Sequence, residues 1–309
     1  MDSENNIFGR TLNPHNTKLS PAGSSGGEGA LIAFRGSVLG AGTDLAGSIR
    51  MPALANGIYG FKPTGDRVPL SGQTISPFPA LHLPGGLIPV LGPLATSVED
   101  LSLFMEVVVG ARPWKYDPNA YDLPWAKRTS GDDTKRLRIG LLPEDPEYPL
   151  HPPVRRALRE AAAALERAGH TVVRLAHDPA TSVSRGARIS AQFLGLGQTD
   201  VVKTIEKLAG EPLIKSVLTG AHPFENGKFL VDPQLDLARQ QHELNAIRAS
   251  YLDSWQRLWL ENDIDVVMAA GAQSTAVPHD TFGDPLYARF LNVLDVCLLP
   301  CFQGKQSEI

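Results

Sequence analysis

Several features that would place this chain in a specialised class of protein are scarce or missing. It has two cysteines in 309 residues, Cys297 and Cys301, and neither this number nor their C-x₃-C spacing is typical of a disulfide framework or a zinc site. We therefore interpret both as structural thiols. No apolar run is long enough to cross a bilayer, and residues 1–6 have neither the basic start nor the apolar core of a secretion signal. The sequence predicts a cytoplasmic protein without a membrane span.

Positive and negative side chains are nearly balanced, with 29 Lys and Arg against 33 Asp and Glu. The formal net charge is −4, and no cluster of Lys or Arg stands out, which argues against a nucleic-acid-binding surface. The eight histidines show no H-E-x-x-H or other paired metal spacing, so no metal or cofactor is indicated. The remaining composition, 42% hydrophobic and 20% charged, is that of an ordinary globular protein that can bury a core.

What the sequence does contain is a concentration of small residues between Pro21 and Thr64. Three glycine- and serine-rich turns, 23–27, 40–43 and 46–48, surround one apolar segment. Glycine lets the backbone approach a ligand and point N–H groups at it, so serines in such turns are candidates for a nucleophile and a proton relay. Successive backbone N–H groups from Leu45 to Ser48 could likewise bind a developing oxyanion. A single serine and glycine cluster is nevertheless more often only a turn.

The longer pattern is more specific. The strings SPAGSSGGEGALIA, GAGTDLAGSIRMPA and GIYGFKPTGDRVP resemble the signature of the amidase signature family, hydrolases that cleave amides with a Ser-Ser-Lys triad. The resemblance implies that Ser24 follows a cis peptide bond and relays protons, that Ser25 supports this relay, and that Ser48 is the nucleophile that forms an acyl-enzyme. It also implies an oxyanion hole made of the backbone N–H groups of Leu45, Ala46, Gly47 and Ser48.

Within the family, the sequence looks closest to the fungal acetamidase and fatty-acid-amide-hydrolase branch, as opposed to the transfer-RNA amidotransferase subunits. The expected partner is a small-molecule amide, with neither a cofactor nor a metal ion.

The general base of the family is missing from its usual place. In the family it is a buried neutral lysine, many tens of residues upstream of the first serine turn, whereas 23 residues precede Ser24 here. Lys18 and Lys62 match other family positions, so neither inherits this role. We therefore expect a chain truncated at both ends, with weak or no amidase activity. Loss of the upstream part should expose apolar surface and favour self-association.

Two alternatives remain. Residues 23–27 formally fit the G-x-S-x-G nucleophile elbow with Ser25 as nucleophile, but that motif needs a buried strand before it, and residues 13–22 are polar and contain proline. A non-enzymatic alternative is a catalytically dead truncated homologue that acts as a binding or interaction module. The reactivity of Ser48 distinguishes this alternative from an enzyme.

The predicted fold is one incomplete α/β domain of the amidase signature type, with a mixed β-sheet core between α-helices. We divide it into a signature core (1–112), a linker (113–133) and an α/β remainder (134–309). Asp44 is predicted to fix the second serine turn and Arg50 to be buried and paired, both in structural roles. Residues 292–296 resemble a late N-x-L-D segment of the family.

Helices are predicted at 28–34, 97–109, 153–168, 189–209 and 234–260, with the first one buried, and the second capped by Ser97 and ended by Gly110. The last of them carries Trp255 and Trp259, which are predicted to be core residues. Strands or tight turns are predicted at 38–40, 58–64, 137–142, 171–175 and 264–270, and a loop at 70–93. The order strand, helix, strand over 137–175 predicts a parallel pair.

Overall fold

The computed structural model describes residues 2–73, 86–126, 135–196, 210, 212–216 and 229–297. Its strands are β1 (Glu4–Asn5), β2 (Gly9–Arg10), β3 (Leu39–Asp44), β4 (Tyr59–Gly60), β5 (Val90–Ala95), β6 (Arg138–Leu141), β7 (Thr171–Arg174) and β8 (Val266–Met268). Its helices are α1 (Gly26–Ala33), α2 (Arg50–Asn56), α3 (Val98–Gly110), α4 (Pro152–Arg167), α5 (Val183–Gly195), α6 (Leu237–Glu261) and α7 (Leu286–Leu294).

The described strands form three separate groups. β1 and β2 make a short hairpin, β3, β5 and β4 make an antiparallel sheet with β5 in the middle, and β7, β6 and β8 make a parallel sheet with β6 in the middle. Gly42 pairs with Gly92 in the antiparallel sheet, and Ile139 pairs with both Val172 and Val266 in the parallel one. The α/β class is confirmed.

The unit β6, α4 and β7 has the predicted order, and its strands are parallel. The Ser97 hydroxyl caps α3 by accepting the Asp100 N–H, and Leu101 and Met105 bury the predicted face of that helix. The helix predicted at 189–209 begins earlier, at Val183, because the Ser182 side chain caps it there. The rest of that prediction, from residue 197 onward, lies outside the described residues.

Four local predictions are wrong. Residues 40–43 are not a turn, because they lie within β3 and pair with β5. Residues 90–93 are strand and not loop, since β5 pairs with a strand on each side; residues 74–85 of that predicted loop lie outside the described part. The helix α1 is not buried all round, because Leu31 is 45% exposed and Phe34, just after it, is 76% exposed. β8 is also less buried than expected, with Val266 exposed on its outer side.

The largest apolar core lies between α5, α6 and α7. Trp255 is buried there and stacks on Phe290 with ring centroids 5.9 Å apart, while its edge meets Tyr251. The prediction of a core tryptophan is thus confirmed for Trp255, whereas Trp259 is half-buried. This core fixes α7, which in turn contacts the serine turns. The division at 113–133 stays a prediction, and residues 127–133 lie outside the described ranges. None of the helices in the described ranges is both long and apolar enough to span a bilayer.

Candidate active site

The first serine turn leads into the N-terminus of α1. The peptide bond between Gly23 and Ser24 is cis, as the family resemblance implies, and the Ser24 side chain is exposed. The Ser25 N–H donates to the Ser48 carbonyl at 3.2 Å, which brings the two predicted serine turns together. The Ser25 hydroxyl lies 3.3 Å from the Thr43 N–H and 3.4 Å from the Thr43 carbonyl. Ser25 therefore ties the first turn to the end of β3.

The second serine turn runs from the end of β3 to the start of α2. One carboxylate oxygen of Asp44 accepts the Gly47 N–H at 2.9 Å and the other accepts the Ile49 N–H at 3.1 Å. Gly47 has φ +116°, and a Cβ there would lie 2.6 Å from the Ala288 Cβ on α7. Only glycine can take this backbone conformation against such a close neighbour. The predicted role of Asp44 in fixing the turn is confirmed.

A buried polar bracket holds Asp44 in place. The Arg50 guanidinium donates to both Asp44 oxygens, at 2.9 and 2.8 Å, and to the Ala288 carbonyl at 2.8 Å. Asn292 on α7 accepts from Arg50 at 2.6 Å and donates to Asp44 at 3.0 Å. The predicted burial and pairing of Arg50 are confirmed.

This bracket also fixes the protonation state of Asp44. Burial raises the pKa of the Asp44 carboxyl, but the attraction of Arg50 and the hydrogen bonds from Arg50, Asn292 and Gly47 outweigh burial, so the pKa lies below its usual value. Asp44 is therefore a carboxylate at neutral pH that accepts hydrogen bonds and does not act as an acid.

The predicted oxyanion hole needs one correction. The Gly47 N–H already donates to Asp44, so this group is not free to bind an oxyanion. Within the described residues, the N–H groups of Leu45, Ala46 and Ser48 have no acceptor. These three donors lie around the half-buried Ser48, and they remain available to stabilise negative charge.

Both lysines excluded as general bases lie away from the serine hydroxyls. Lys18 is exposed. Lys62 is fully buried, and its ammonium group contacts the carbonyls of Pro63 and Val296 at 2.9 and 3.3 Å and the Asp295 carboxylate at 3.4 Å. Burial lowers the pKa of Lys62, with Asp295 acting against that shift. These contacts are structural, since they join the segment after β4 to the residues that follow α7.

No titratable side chain of the described residues hydrogen-bonds the hydroxyl of Ser24 or Ser48. The nucleophile elbow is also absent from this part of the chain. Between β2 and Ser25 the chain forms an isolated bridge at Leu19 and no strand, and the Ser25 hydroxyl contacts backbone atoms of Thr43. Ser48, at the head of α2, is thus the better nucleophile candidate.

A cavity of about 240 Å³ lies next to the residues that flank the two serine turns, and neither Ser24 nor Ser48 lines it. Ala22 lines it just before the first turn, Met51 and Leu54 line it from α2, and Phe282 and Pro285 close it from the segment before α7. The Met51 Cγ and the Pro285 Cβ lie 3.1 and 3.9 Å from the position of a Cβ on Gly47. Met51 and Pro285 therefore separate the cavity from Gly47 in the second serine turn.

Sequence reasoning missed the contributions of α7 and of the N-terminus to this site. The N-x-L-D resemblance drew attention to residues 292–296, but nothing in the pattern indicated that Asn292 contacts Asp44 and Arg50. Ser3, which contacts the first serine turn, and Asp2, which contacts Ser20 just before it, carried no signal. Cys297 is exposed and free, and Cys301 lies outside the described residues.

Comparisons with known proteins agree with this geometry. A family model described as Amidase matches residues 1–308. The chain is 36% identical to an "Amidase" of Gibberella moniliformis and 37% identical to an "Acetamidase" of Aspergillus oryzae, in each case over 95% of this chain and 53% of the relative. Its structure resembles that of "Fatty acid amide hydrolase" with a TM-score of 0.84 and 27% identity, over 96% of this chain and 50% of that one.

The chain spans about half the length of the curated relatives it matches. The extent of the family match and the structural likeness lead to one conclusion: this chain belongs to the Amidase family and has the amidase signature fold.

Proposed function

We propose that the chain carries the nucleophile half of an amide hydrolase, in which Ser48 attacks a carboxylic amide. The observation that carries this proposal is the hydrogen bond between the Ser25 N–H and the Ser48 carbonyl, 3.2 Å long, because it places the two serine turns side by side. Membership of the Amidase family and the names of the fungal relatives support the same reaction.

The proposed reaction has two steps. The Ser48 Oγ forms a bond to the amide carbon, and the negative charge that develops on the carbonyl oxygen is stabilised by the free N–H groups of Leu45, Ala46 and Ser48. The C–N bond then breaks, and the proton lost by Ser48 passes through the Ser24 hydroxyl to the departing nitrogen. Water hydrolyses the resulting ester, which releases the acid and regenerates Ser48. Ser25 supports this arrangement through its bonds to Thr43.

The activity of this chain by itself should be weak. A serine hydroxyl needs a base to accept its proton, and no titratable side chain of the described residues bonds to Ser48 or Ser24. General acid and base catalysis typically contributes a factor of about 10² to 10⁴ in rate. The oxyanion donors and the turn geometry remain, so slow acylation by an activated reagent is expected.

The cavity next to the serine turns favours a small acyl group. With a volume of about 240 Å³, the cavity lies just below the roughly 300 to 1,000 Å³ of typical small-molecule sites. Its walls combine apolar groups such as Leu54 and Phe282 with hydroxyls such as Ser20 and Thr281. We propose a short-chain amide as substrate, which agrees with the relative named acetamidase.

The test is covalent labelling of the purified chain with an alkyl fluorophosphonate, followed by intact mass spectrometry. We expect slow addition of one reagent to the wild-type chain, no addition to Ser48→Ala, and unchanged addition to Ser37→Ala, a serine at a distance from the site. A folded wild-type chain that gains no mass at high reagent concentration would contradict the proposed function.

That negative result would favour the second candidate, a catalytically dead homologue that acts as an interaction module. Exposed apolar side chains near the serine turns support an interaction role, including Ile7 at 84% and Phe8 at 88% exposure at the tip of the β1–β2 hairpin. We propose that this surface causes self-association. Sedimentation of the wild-type chain beside an Ile7→Ser/Phe8→Ser variant tests it, and a monomeric wild-type chain would contradict it. A cytoplasmic location stays a prediction.

A further inference from the structure

Ser3 reaches the first serine turn although it lies 21 residues before Ser24 in the chain. Its hydroxyl oxygen is 3.2 Å from the Ala22 carbonyl and 3.4 Å from the Ser24 carbonyl. A hydroxyl has one proton to donate, so Ser3 shares it between two carbonyls on either side of Gly23.

The Ser24–Ser25 peptide unit is held at both of its polar ends. Its carbonyl accepts from Ser3 at 3.4 Å, and its N–H donates to the Ser48 carbonyl at 3.2 Å. Ser3 therefore acts on the same peptide unit that joins the two serine turns. A shift of that unit would move the Ser24 side chain relative to Ser48.

Neighbouring contacts fix Ser3 itself. The Ser3 carbonyl accepts the Thr11 N–H at 2.9 Å, which closes the base of the β1–β2 hairpin. On the other side, the Asp2 N–H donates to the Ser216 hydroxyl at 2.8 Å. Ser3 is thus anchored from both directions along the backbone, so its hydroxyl meets the turn in a defined position.

The buried Asp2 side chain braces the turn a second time. Its carboxylate accepts the Asp280 N–H at 3.1 Å and the Ser20 hydroxyl. The Ser20 oxygen in turn accepts the Ala22 N–H at 3.0 Å. Ala22 is therefore held at its N–H through Ser20 and at its carbonyl through Ser3.

Gly26 is an independent sign that Ser3 packs closely against the turn. A Cβ on Gly26 would collide with the Ser3 hydroxyl and lie 3.1 Å from the Ser3 Cβ. Alanine is otherwise favoured over glycine inside a helix by about 1 kcal/mol. The absence of a side chain at this position in α1 is explained by the approach of Ser3.

We propose that Ser3 is a positioning residue for Ser24: its hydroxyl holds the carbonyls of Ala22 and Ser24 so that the Ser24 side chain lies correctly beside Ser48. This role rests on the proposed function of the two serines. It is distinct from that function, because Ser3 contacts backbone atoms of the turn and no reacting group.

The experiment compares Ser3→Ala, which removes the hydroxyl, with Ser3→Thr, which keeps it. Gly26→Ala is a second perturbation that displaces the hydroxyl without removing it. Ser37→Ala is the matched serine control, because the Ser37 hydroxyl also donates to a backbone carbonyl, that of Leu39. Gly110→Ala is the matched glycine control, because a Cβ there meets nothing within 4 Å.

Two readouts are measured on each folded variant: the rate of fluorophosphonate addition to Ser48, and hydrogen exchange of the peptide that covers residues 21–27. The loss of one hydrogen bond corresponds to roughly a fivefold change, so Ser3→Ala should label about five times more slowly and exchange about five times faster in that peptide. Gly26→Ala should resemble it, Ser3→Thr should stay within about twofold of wild type, and both controls should be unchanged.

The outcomes separate the two proposals. If neither the wild-type chain nor any variant is labelled at Ser48, the proposed function is wrong and the positioning role is rejected with it. If the wild-type chain is labelled and Ser3→Ala is labelled at the same rate, Ser3 does not position Ser24, even if exchange of the turn increases. If Ser3→Thr is labelled as slowly as Ser3→Ala, the hydroxyl of residue 3 is not what positions Ser24, and the proposal is wrong.

Discussion

Asn292→Leu should destabilise the second serine turn, although residue 292 lies on α7 and outside that turn. In the wild-type chain, Asn292 accepts a 2.6 Å hydrogen bond from Arg50 and donates a 3.0 Å one to Asp44. Hydrogen bonds to charged groups contribute about 1.5 to 3 kcal/mol each, and burial of the leucine side chain recovers about 2 kcal/mol. We therefore expect the free energy of unfolding to fall by about 1 to 4 kcal/mol.

The change should also reach Ser48. Asp44 fixes the N–H groups of Gly47 and Ile49 on either side of that serine, so a displaced Asp44 carboxylate lets the turn move. Urea unfolding measures the first effect and the rate of fluorophosphonate labelling measures the second. The matched control is Asn262→Leu, which removes a bond to the Leu258 carbonyl at the end of α6.

The labelling rate of Ser48 in Asn292→Leu should fall about tenfold, as expected for about 1.4 kcal/mol of lost transition-state stabilisation, whereas Asn262→Leu should label at the wild-type rate. An Asn292→Leu chain with wild-type stability and wild-type labelling would refute the idea that α7 holds the turn through the Asp44 and Arg50 pair. If Asn292→Leu and Asn262→Leu are both less stable but Ser48 is labelled at the wild-type rate in each, the contacts of Asn292 with Asp44 and Arg50 contribute to packing and do not position Ser48.

Three further predictions follow from the same geometry. Gly47→Ala should abolish Ser48 labelling and cost about 2 to 4 kcal/mol of stability, because a Cβ would lie 2.6 Å from Ala288 at φ +116°; thermal melting and mass spectrometry measure both. The pKa of Asp44 is lower in the folded than in the unfolded chain. The ionised carboxylate therefore stabilises the fold fully above the unfolded-state pKa of about 3.9, and this stabilisation is lost as the pH falls below that value. The difference in melting temperature between wild type and Asp44→Asn should accordingly shrink below pH about 4. Phe282→Ala should enlarge the cavity, lower the free energy of unfolding by about 3 kcal/mol, and raise the labelling rate of long-chain relative to short-chain fluorophosphonates; an unchanged ratio would remove Phe282 from the substrate cavity.

The parts of the fold that local sequence determines were predicted well. The Ser97 cap and the apolar spacing of α3 specify that helix without reference to the rest of the chain. The strand, helix and strand order of β6, α4 and β7 specifies a parallel pair, because such a crossover is the common way to join parallel neighbours. The roles predicted for Ser24 and Ser48 rest on the family resemblance of the glycine-rich strings around them, and they stay predictions.

Strand β5 could not be predicted in this way. Its sequence, Val90–Ala95, contains glycine and proline in adjacent positions and is typical of a loop. It becomes a central strand because β3 and β4 pair with it on both sides, and because Gly92 leaves room for the Phe61 carbonyl. These partners lie about 35 to 55 residues away in the chain, so pairing, and not local propensity, decides the outcome.

The sequence by itself determined the family, the α/β class, the two serine turns and the burial of Arg50, because each of these depends on residues close together in the chain. Only the tertiary structure decided that α7 supplies Asn292 to the Asp44 carboxylate, that the Gly47 N–H donates to Asp44, and that Ser3 reaches the Ser24 carbonyl. These contacts link residues whose separation in the chain carries no periodic signal. Packing of α7 against the core, and of the N-terminal hairpin against the first turn, brings them within hydrogen-bonding distance.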